Sequence, residues 1–129
     1  MKDELTHQVI GAAMAVHREL GPGFLESVYQ KALAIELASL GLDVVIEKRI
    51  EVMYRGRVVG DFKADLFVEN RLIVELKATE CLAPIHEVQT VNYLNATGHD
   101  IGLLINFGSQ SLQFKRKFRN GKTENPEIL

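Results

Sequence analysis

The fold is decided by the stretch Ala64-Asp65-Leu66-Phe67-Val68-Glu69-Asn70-Arg71-Leu72-Ile73-Val74-Glu75-Leu76-Lys77-Ala78. Side chains in both halves of it alternate in character, which is the period of a β-strand. A three-residue loop at 69–71 pairs even positions with even positions, because directly opposed residues of a hairpin share one face. The stretch therefore predicts a β-hairpin in which Asp65 stands opposite Glu75, with Lys77 two residues further along the same face.

Two carboxyl groups at cross-strand distance repel each other unless a cation lies between them. Mg²⁺ prefers one or two carboxylates together with water and phosphate oxygens, so Asp65 and Glu75 predict a site for Mg²⁺ or Mn²⁺. Asp61 is the competing carboxylate, but it lies at the turn end of its strand, and only Asp65 stands opposite Glu75 in the inferred register. The alternative is a half-exposed strand that carries a solvated ion pair, since structural ion pairs imitate active sites.

Hydrophobic periodicity elsewhere predicts an α/β fold with a mixed central sheet flanked by helices, in the order α-α-β-β-β-β-α-β-β. The run 101–107 is apolar on both faces and follows a strand–helix pair, so it predicts a buried strand parallel to 72–78. Helices are predicted at 4–20, 24–41 and 84–96, two strands within 43–60, the hairpin strands, and further strands at 101–107 and 112–118.

Composition narrows the class of protein. A chain of 129 residues with 47% hydrophobic residues predicts one domain over 1–129, with a frayed polar tail at 120–129. The net charge of −2 excludes a wholly basic surface, so nucleic acid could bind only a local patch. Cys81 is the single cysteine, and no apolar run is long enough for a membrane span. The start of the chain does not resemble a signal peptide, and we therefore expect a cytoplasmic protein that does not bind membranes.

Three motifs carry a resemblance to a known family. Asp65 followed by Glu75-Leu76-Lys77 resembles the signature of the PD-(D/E)XK nucleases. The segment Gly23-Phe24-Leu25-Glu26-Ser27-Val28-Tyr29 matches the pattern of the GxxExxY family, a branch of that superfamily, and Gln89-Thr90-Val91-Asn92-Tyr93 is similar to its QxxxY helix motif. The proline of the signature is absent, since Ala64 precedes Asp65. The resemblance implies a restriction-endonuclease-like core and a nuclease that depends on Mg²⁺ or Mn²⁺.

The resemblance also implies roles for individual residues. It places Asp65, Glu75 and Glu26 at the metal, with Lys77 orienting the attacking water and Gln89 supporting a ligand or a phosphate. Glu26 has a structural alternative, because a carboxylate in the first turn of a helix interacts favourably with the helix dipole. The candidates for substrate contact are Tyr29, His86, Tyr93, Lys115 and Lys117.

The sequence leaves three hypotheses open for function. The first is an active metal-dependent nuclease that acts on the phosphodiester bonds of DNA or RNA. The second is a catalytically inactive fold of this type that binds nucleic acid or a protein, and the third is a structural partner in a homodimer. The basic cluster around Lys115 and Lys117 has two readings, because charged residues also protect an edge strand from pairing with other sheets.

Overall fold

The structure is a computed structural model that describes residues 4–120. Five strands form one mixed sheet in the order β1-β2-β3-β4-β5, in which only the β3–β4 pair is parallel among the described strands. The expected frayed tail, 120–129, lies outside the described residues except for Asn120. The elements are α1 Glu4–Leu20, α2 Glu26–Ser39, β1 Val44–Tyr54, β2 Arg57–Val68, β3 Leu72–Lys77, α3 Pro84–Thr97, β4 Ile101–Asn106 and β5 Gln113–Phe118.

The predicted α/β class and the parallel crossover are confirmed, with one strand fewer before α3 than expected. Residues 58–60 and the first arm of the hairpin are not two strands, because β2 runs without a break from Arg57 to Val68. The sequence predicts only that the segment 60–63 leads into the hairpin, but Gly60 and Asp61 both pair with β1 and remain extended. The hairpin register is the predicted one, since Leu66 pairs with Val74 and Val68 pairs with Leu72.

The sheet has a hydrophobic layer on each face. On one face α1 and α2 pack against the alternate strand residues Leu66, Val68, Leu72, Val74 and Leu76. On the other face α3 contributes Leu94 to a smaller cluster with Ala64, Phe67 and Ile73. No helix within residues 4–120 is long and apolar enough to cross a membrane.

The alternation of β2 changes phase at Asp65. Phe62 stacks on Tyr93 of α3, and Phe67 packs beside Leu94 of the same helix, although an even and an odd position of a regular strand face opposite sides. On β1, Glu47 lies between residues paired with positions 64 and 66 and has a left-handed backbone with a φ of 56°. The even–odd pattern predicts that Ala64 packs beside Leu66. Because of this irregularity, Ala64 packs under α3 instead.

Candidate acidic site on the β2–β3 hairpin

The hairpin brings the two predicted carboxylates together. Backbone pairing between β2 and β3 extends from the loop only to Leu66 and Val74. One residue further, the side chain of Asp65 continues the contact, because its Oδ2 accepts a hydrogen bond from the N–H of Leu76 at 2.7 Å. Asp65 is therefore held against the strand that carries Glu75, and each carboxyl group influences the pKa of the other.

Glu75 is a buried carboxyl group that lacks a full set of partners. Glu75 is only 9% exposed, and its Oε1 has no hydrogen-bond partner among the described residues. Burial first, and then the charge of Asp65, raises the pKa of Glu75 from 4.5 to about 8. A buried acceptor without a partner is costly in a folded protein, and it marks a place where another group can bind.

Lys77 and Asp65 complete the electrostatics of the hairpin. Burial raises the pKa of Asp65, while the hydrogen bond from Leu76 and the charge of Lys77 act in the opposite direction. The same ammonium group lowers the pKa of Glu75, so it lies near both carboxyl groups. Lys77 is half-buried at the last position of β3, which leaves part of its side chain accessible to a ligand.

Tyr93 reaches the acidic pair from α3. Its pKa is raised by burial and then by the charges of Glu75 and Asp65. Its ring stacks on Phe62, with 3.6 Å between the ring centroids, and this contact fixes α3 over β2. Gln89 lies one helical turn before Tyr93 and is exposed, so it borders the same face of α3 from the solvent side.

Glu26 is the third predicted acidic residue, and the structure places it at the start of α2. Four residues later on the same helix, Gln30 donates a hydrogen bond from Nε2 to the backbone oxygen of Asp65 at 3.0 Å. Residues four apart lie on one side of a helix, so Glu26 is one turn from the contact with Asp65. Its side chain is exposed and does not join the buried pair, and its role as a metal ligand stays a prediction.

Tyr29 has a structural role, which argues against the predicted substrate contact. Its ring is fully buried and stacks on Phe107 at 4.6 Å between centroids. Its hydroxyl donates to the oxygen of Gly21 at 2.6 Å and accepts from the N–H of Phe24 at 3.1 Å. Tyr29 thus anchors the loop between α1 and α2 to the sheet, and no part of its side chain is open to a ligand.

His86 is half-buried in the first turn of α3. Its Nδ1 accepts a hydrogen bond from the N–H of Ala83 at 3.1 Å, which satisfies a backbone donor at the start of the helix. This contact gives His86 a capping role, and its predicted contact with substrate remains untested.

The basic cluster on β5 is partly neutralised within the chain. Lys117 Nζ lies 3.0 Å from Glu87 Oε1 of α3, and Arg119 Nη2 lies 2.8 Å from Asp100 Oδ1. Lys115 is exposed on the same strand, and β5 is the edge of the sheet. These ion pairs favour the edge-strand reading for Lys117, whereas Lys115 remains available to an anion.

Sequence reasoning missed the polar network that holds the end of the hairpin. Asn106 is fully buried, and its Oδ1 accepts from the N–H of Thr79 at 2.9 Å, while its Nδ2 donates to the oxygen of Thr79 at 2.9 Å. Nδ2 also donates to Gln113 Oε1 at 2.9 Å. The network fixes the chain two residues beyond Lys77. The available signal for this network was Asn106, a polar residue inside an apolar strand. For the contact between Gln30 and Asp65, the available signal was the position of Gln30 four residues after Glu26.

The chemistry of the pair fits a hard divalent cation. No three His, Cys, Asp or Glu side chains within residues 4–120 gather into a group that could hold a metal ion. Mg²⁺ needs fewer protein ligands than Zn²⁺, since it keeps several waters and binds one or two carboxylates and substrate phosphates. Asp65 and Glu75, whose Oε1 is buried without a hydrogen-bond partner among the described residues, satisfy that requirement.

Comparison with known proteins adds one finding. A family model described as the PD-(D/E)XK nuclease superfamily matches residues 3–117, a span that includes all three helices and the acidic hairpin. No curated protein and no solved structure matched the chain.

Proposed function

The chain belongs to the PD-(D/E)XK nuclease superfamily, and from that membership we propose that it hydrolyses phosphodiester bonds of nucleic acid with Mg²⁺ or Mn²⁺. One observation carries the proposal: Glu75, whose side chain interacts with that of Asp65, has a buried Oε1 without a partner among the described residues. We also propose the GxxExxY branch, since Gly23, Glu26 and Tyr29 match its pattern.

Asp65 and Glu75 hold the metal in this proposal, and Glu26 can turn inward from α2 as a third ligand. A divalent ion bound there supplies a Lewis acid that activates water and neutralises charge on the phosphate. The N–H of Leu76 keeps the Asp65 carboxylate directed at the site, so its orientation is set before any ligand arrives.

The remaining residues act on the substrate. Lys77 presents an ammonium group beside the carboxylates, where it orients the attacking water and stabilises negative charge that develops on the phosphate. Gln89 borders the site on α3 and can donate from its amide to a phosphate oxygen. The Tyr93 hydroxyl is a further donor, because a phenol is protonated at neutral pH, and burial raises its pKa further.

A cleavage assay tests the proposal on labelled single- and double-stranded DNA and RNA. We expect cutting with Mg²⁺ or Mn²⁺ and none with EDTA or with Ca²⁺, whose longer and looser coordination misplaces the water. Asp65→Asn should abolish cutting. Asp61→Asn is the matched control, because it makes the same change four residues away on β2, at a side chain that is paired with Arg49 instead.

Lys77→Ala separates the two roles in the site. We expect this variant to retain metal binding while its cleavage rate falls by about 10² or more, since the ammonium group acts on the reacting phosphate. Equal cleavage by Lys77→Ala and the unaltered protein would remove Lys77 from the mechanism.

The second candidate is a catalytically inactive module that binds nucleic acid or a protein. It is favoured by the absence, within residues 4–120, of any group of three His, Cys, Asp or Glu side chains that could hold a metal ion. Metal binding together with intact substrates of all four kinds would support this candidate and overturn the first. Size-exclusion chromatography of the same sample tests the proposed homodimer.

A further inference from the structure

Strands β1 and β2 continue well beyond the rest of the sheet. β2 pairs with β3 only over residues 66–68, whereas its pairing with β1 continues from Lys48 and Ala64 out to Tyr54 and Arg57. Residues 48–64 therefore form a two-stranded ribbon, which we call the arm. α3 covers the base of the arm through Ile50 and Phe62, and all residues from 53 to 61 are exposed.

The tip of the arm, residues 53–59, combines positive charge with apolar surface. Arg55 and Arg57 flank the turn at Gly56, and positions 52–60 contain no acidic residue. Neither arginine has an ion-pair partner in the described part of the chain. At the base of the arm, by contrast, Arg49 pairs with Asp61. The large apolar side chains of the tip are each more than half exposed, namely Met53, Tyr54, Val58 and Val59.

The outer edge of the arm is unsuited to pairing with a second copy of the chain. β1 is the edge strand, but its register shifts between Val52 and Met53, and Glu47 has a left-handed backbone. Bulges and charged side chains on an edge strand prevent strand addition. A partner of this arm must therefore contact the tip and its faces rather than extend the sheet.

We propose that the arm binds double-stranded DNA by entering the major groove beside the acidic site. This inference rests on the proposed nuclease function, because it names the substrate of that site. The major groove of B-DNA is about 12 Å wide and admits a two-stranded β-ribbon, whereas the major groove of duplex RNA is deep and too narrow for side chains to read. Arg55 and Arg57 contact phosphates or guanine edges, and Met53 or Val58 contacts thymine methyl groups.

The length of the arm sets the position of this contact. Arg57 precedes Asp65 by eight positions in β2, which at a rise of roughly 3.3 Å per residue is about 26 Å. That distance corresponds to about eight base pairs of B-DNA. If the arm lies along the duplex axis, the tip contacts the duplex about eight base pairs from the phosphate at the acidic site, and shorter flanking DNA does not reach it.

The binding test uses a fluorescein-labelled DNA duplex of about 30 base pairs, measured by anisotropy in EDTA so that cleavage does not interfere. We expect Arg55→Ala/Arg57→Ala to weaken binding roughly tenfold or more and to lower the salt slope by about 2. The control is Arg18→Ala/Lys31→Ala, which removes the same charge from exposed positions on α1 and α2. Both double variants should melt like the unaltered protein, because the altered side chains are exposed.

Several results would overturn the proposal that the arm binds double-stranded DNA. The proposal is wrong if the two double variants bind the DNA duplex equally, or if the unaltered protein binds no duplex DNA. It is also wrong if a duplex RNA of the same length is bound as tightly and with the same dependence on Arg55 and Arg57. If the unaltered protein binds DNA through the arm but cuts none of the nucleic acids, the binding proposal is supported and the nuclease function is refuted. One further result would support both proposals: the Arg55→Ala/Arg57→Ala variant cuts DNA with fewer than about eight base pairs on either side of the cut as fast as the unaltered protein does, and cuts longer DNA more slowly than the unaltered protein does.

Discussion

Glu75→Gln should stabilise the metal-free protein, and by more as the pH rises. The substitution keeps the size of the side chain and replaces an ionisable carboxyl group next to Asp65 with an uncharged amide. Burial and Asp65 raise the pKa of Glu75 from 4.5 to about 8 in the folded protein. The folded chain therefore keeps a proton that the unfolded chain has lost between these two values, and the free energy of unfolding decreases with pH across that window.

The size of this stability difference at a given pH depends on how far that pH lies above 4.5, the pKa of Glu75 in the unfolded chain. Each pKa unit corresponds to about 1.4 kcal/mol, so the raised pKa of Glu75 lowers the free energy of unfolding by at most about 3 kcal/mol at pH 7 and by under about 1 kcal/mol at pH 5. Below pH 4.5 Glu75 is protonated in both states and the cost disappears. The stability gained by Glu75→Gln should thus increase steadily from pH 5 to pH 8.

Urea unfolding at several pH values in EDTA measures this difference. Glu51→Gln is a matched control, because it makes the same change at an exposed position on β1. A gain for Glu75→Gln that does not change between pH 5 and pH 8, or a loss that grows with pH, would refute the account of Glu75 as a buried, destabilising carboxyl group.

Three further predictions concern the frame around the site and the edge strand. Tyr29→Phe should lower the free energy of unfolding by about 1–3 kcal/mol through loss of two buried hydrogen bonds, while KM in the cleavage assay stays unchanged; a raised KM alone would restore the substrate contact. Gly108→Ala should destabilise the protein severely in a thermal melt, because the new Cβ would lie 2.2 Å from the backbone oxygen of Thr79. Gly11 has open space around it, so Gly11→Ala should instead stabilise α1 by about 0.5–1 kcal/mol in the same measurement. Lys115→Glu should weaken binding of nucleic acid and flatten its dependence on salt; an unchanged slope in the anisotropy titration would leave this residue as an edge-strand charge.

Much of the hairpin could be predicted because its information is local. Alternation along 64–78 and a loop of fixed length determine the register, and the register brings Asp65 next to Glu75. The phase change at Asp65 could not be read in the same way. It depends on the left-handed backbone of Glu47 on the neighbouring strand, and a glutamate carries no sequence signal for that conformation.

The residues that support the site depend on contacts distant in sequence. Tyr29 and Glu26 fit one motif, yet the pattern alone does not show that the tyrosine side of α2 faces the sheet while Glu26 stays exposed. The pairing of Lys117 with Glu87 likewise joins α3 to β5, so a cluster that looks free for phosphate is partly neutralised. Local periodicity therefore locates the acidic pair, and tertiary packing decides which of the neighbouring polar residues remain available.

Calorimetric titration with Mn²⁺ at pH 7, in two buffers of different ionisation enthalpy, tests the central claim most directly. The account predicts one site per chain, loss of binding in Glu75→Gln, and release of close to one proton per bound ion, because a carboxyl group with a pKa of about 8 is mostly protonated before the ion displaces its proton. Absence of binding at millimolar Mn²⁺, or equal affinity in Glu75→Gln, would contradict the assignment of Asp65 and Glu75 as a metal site.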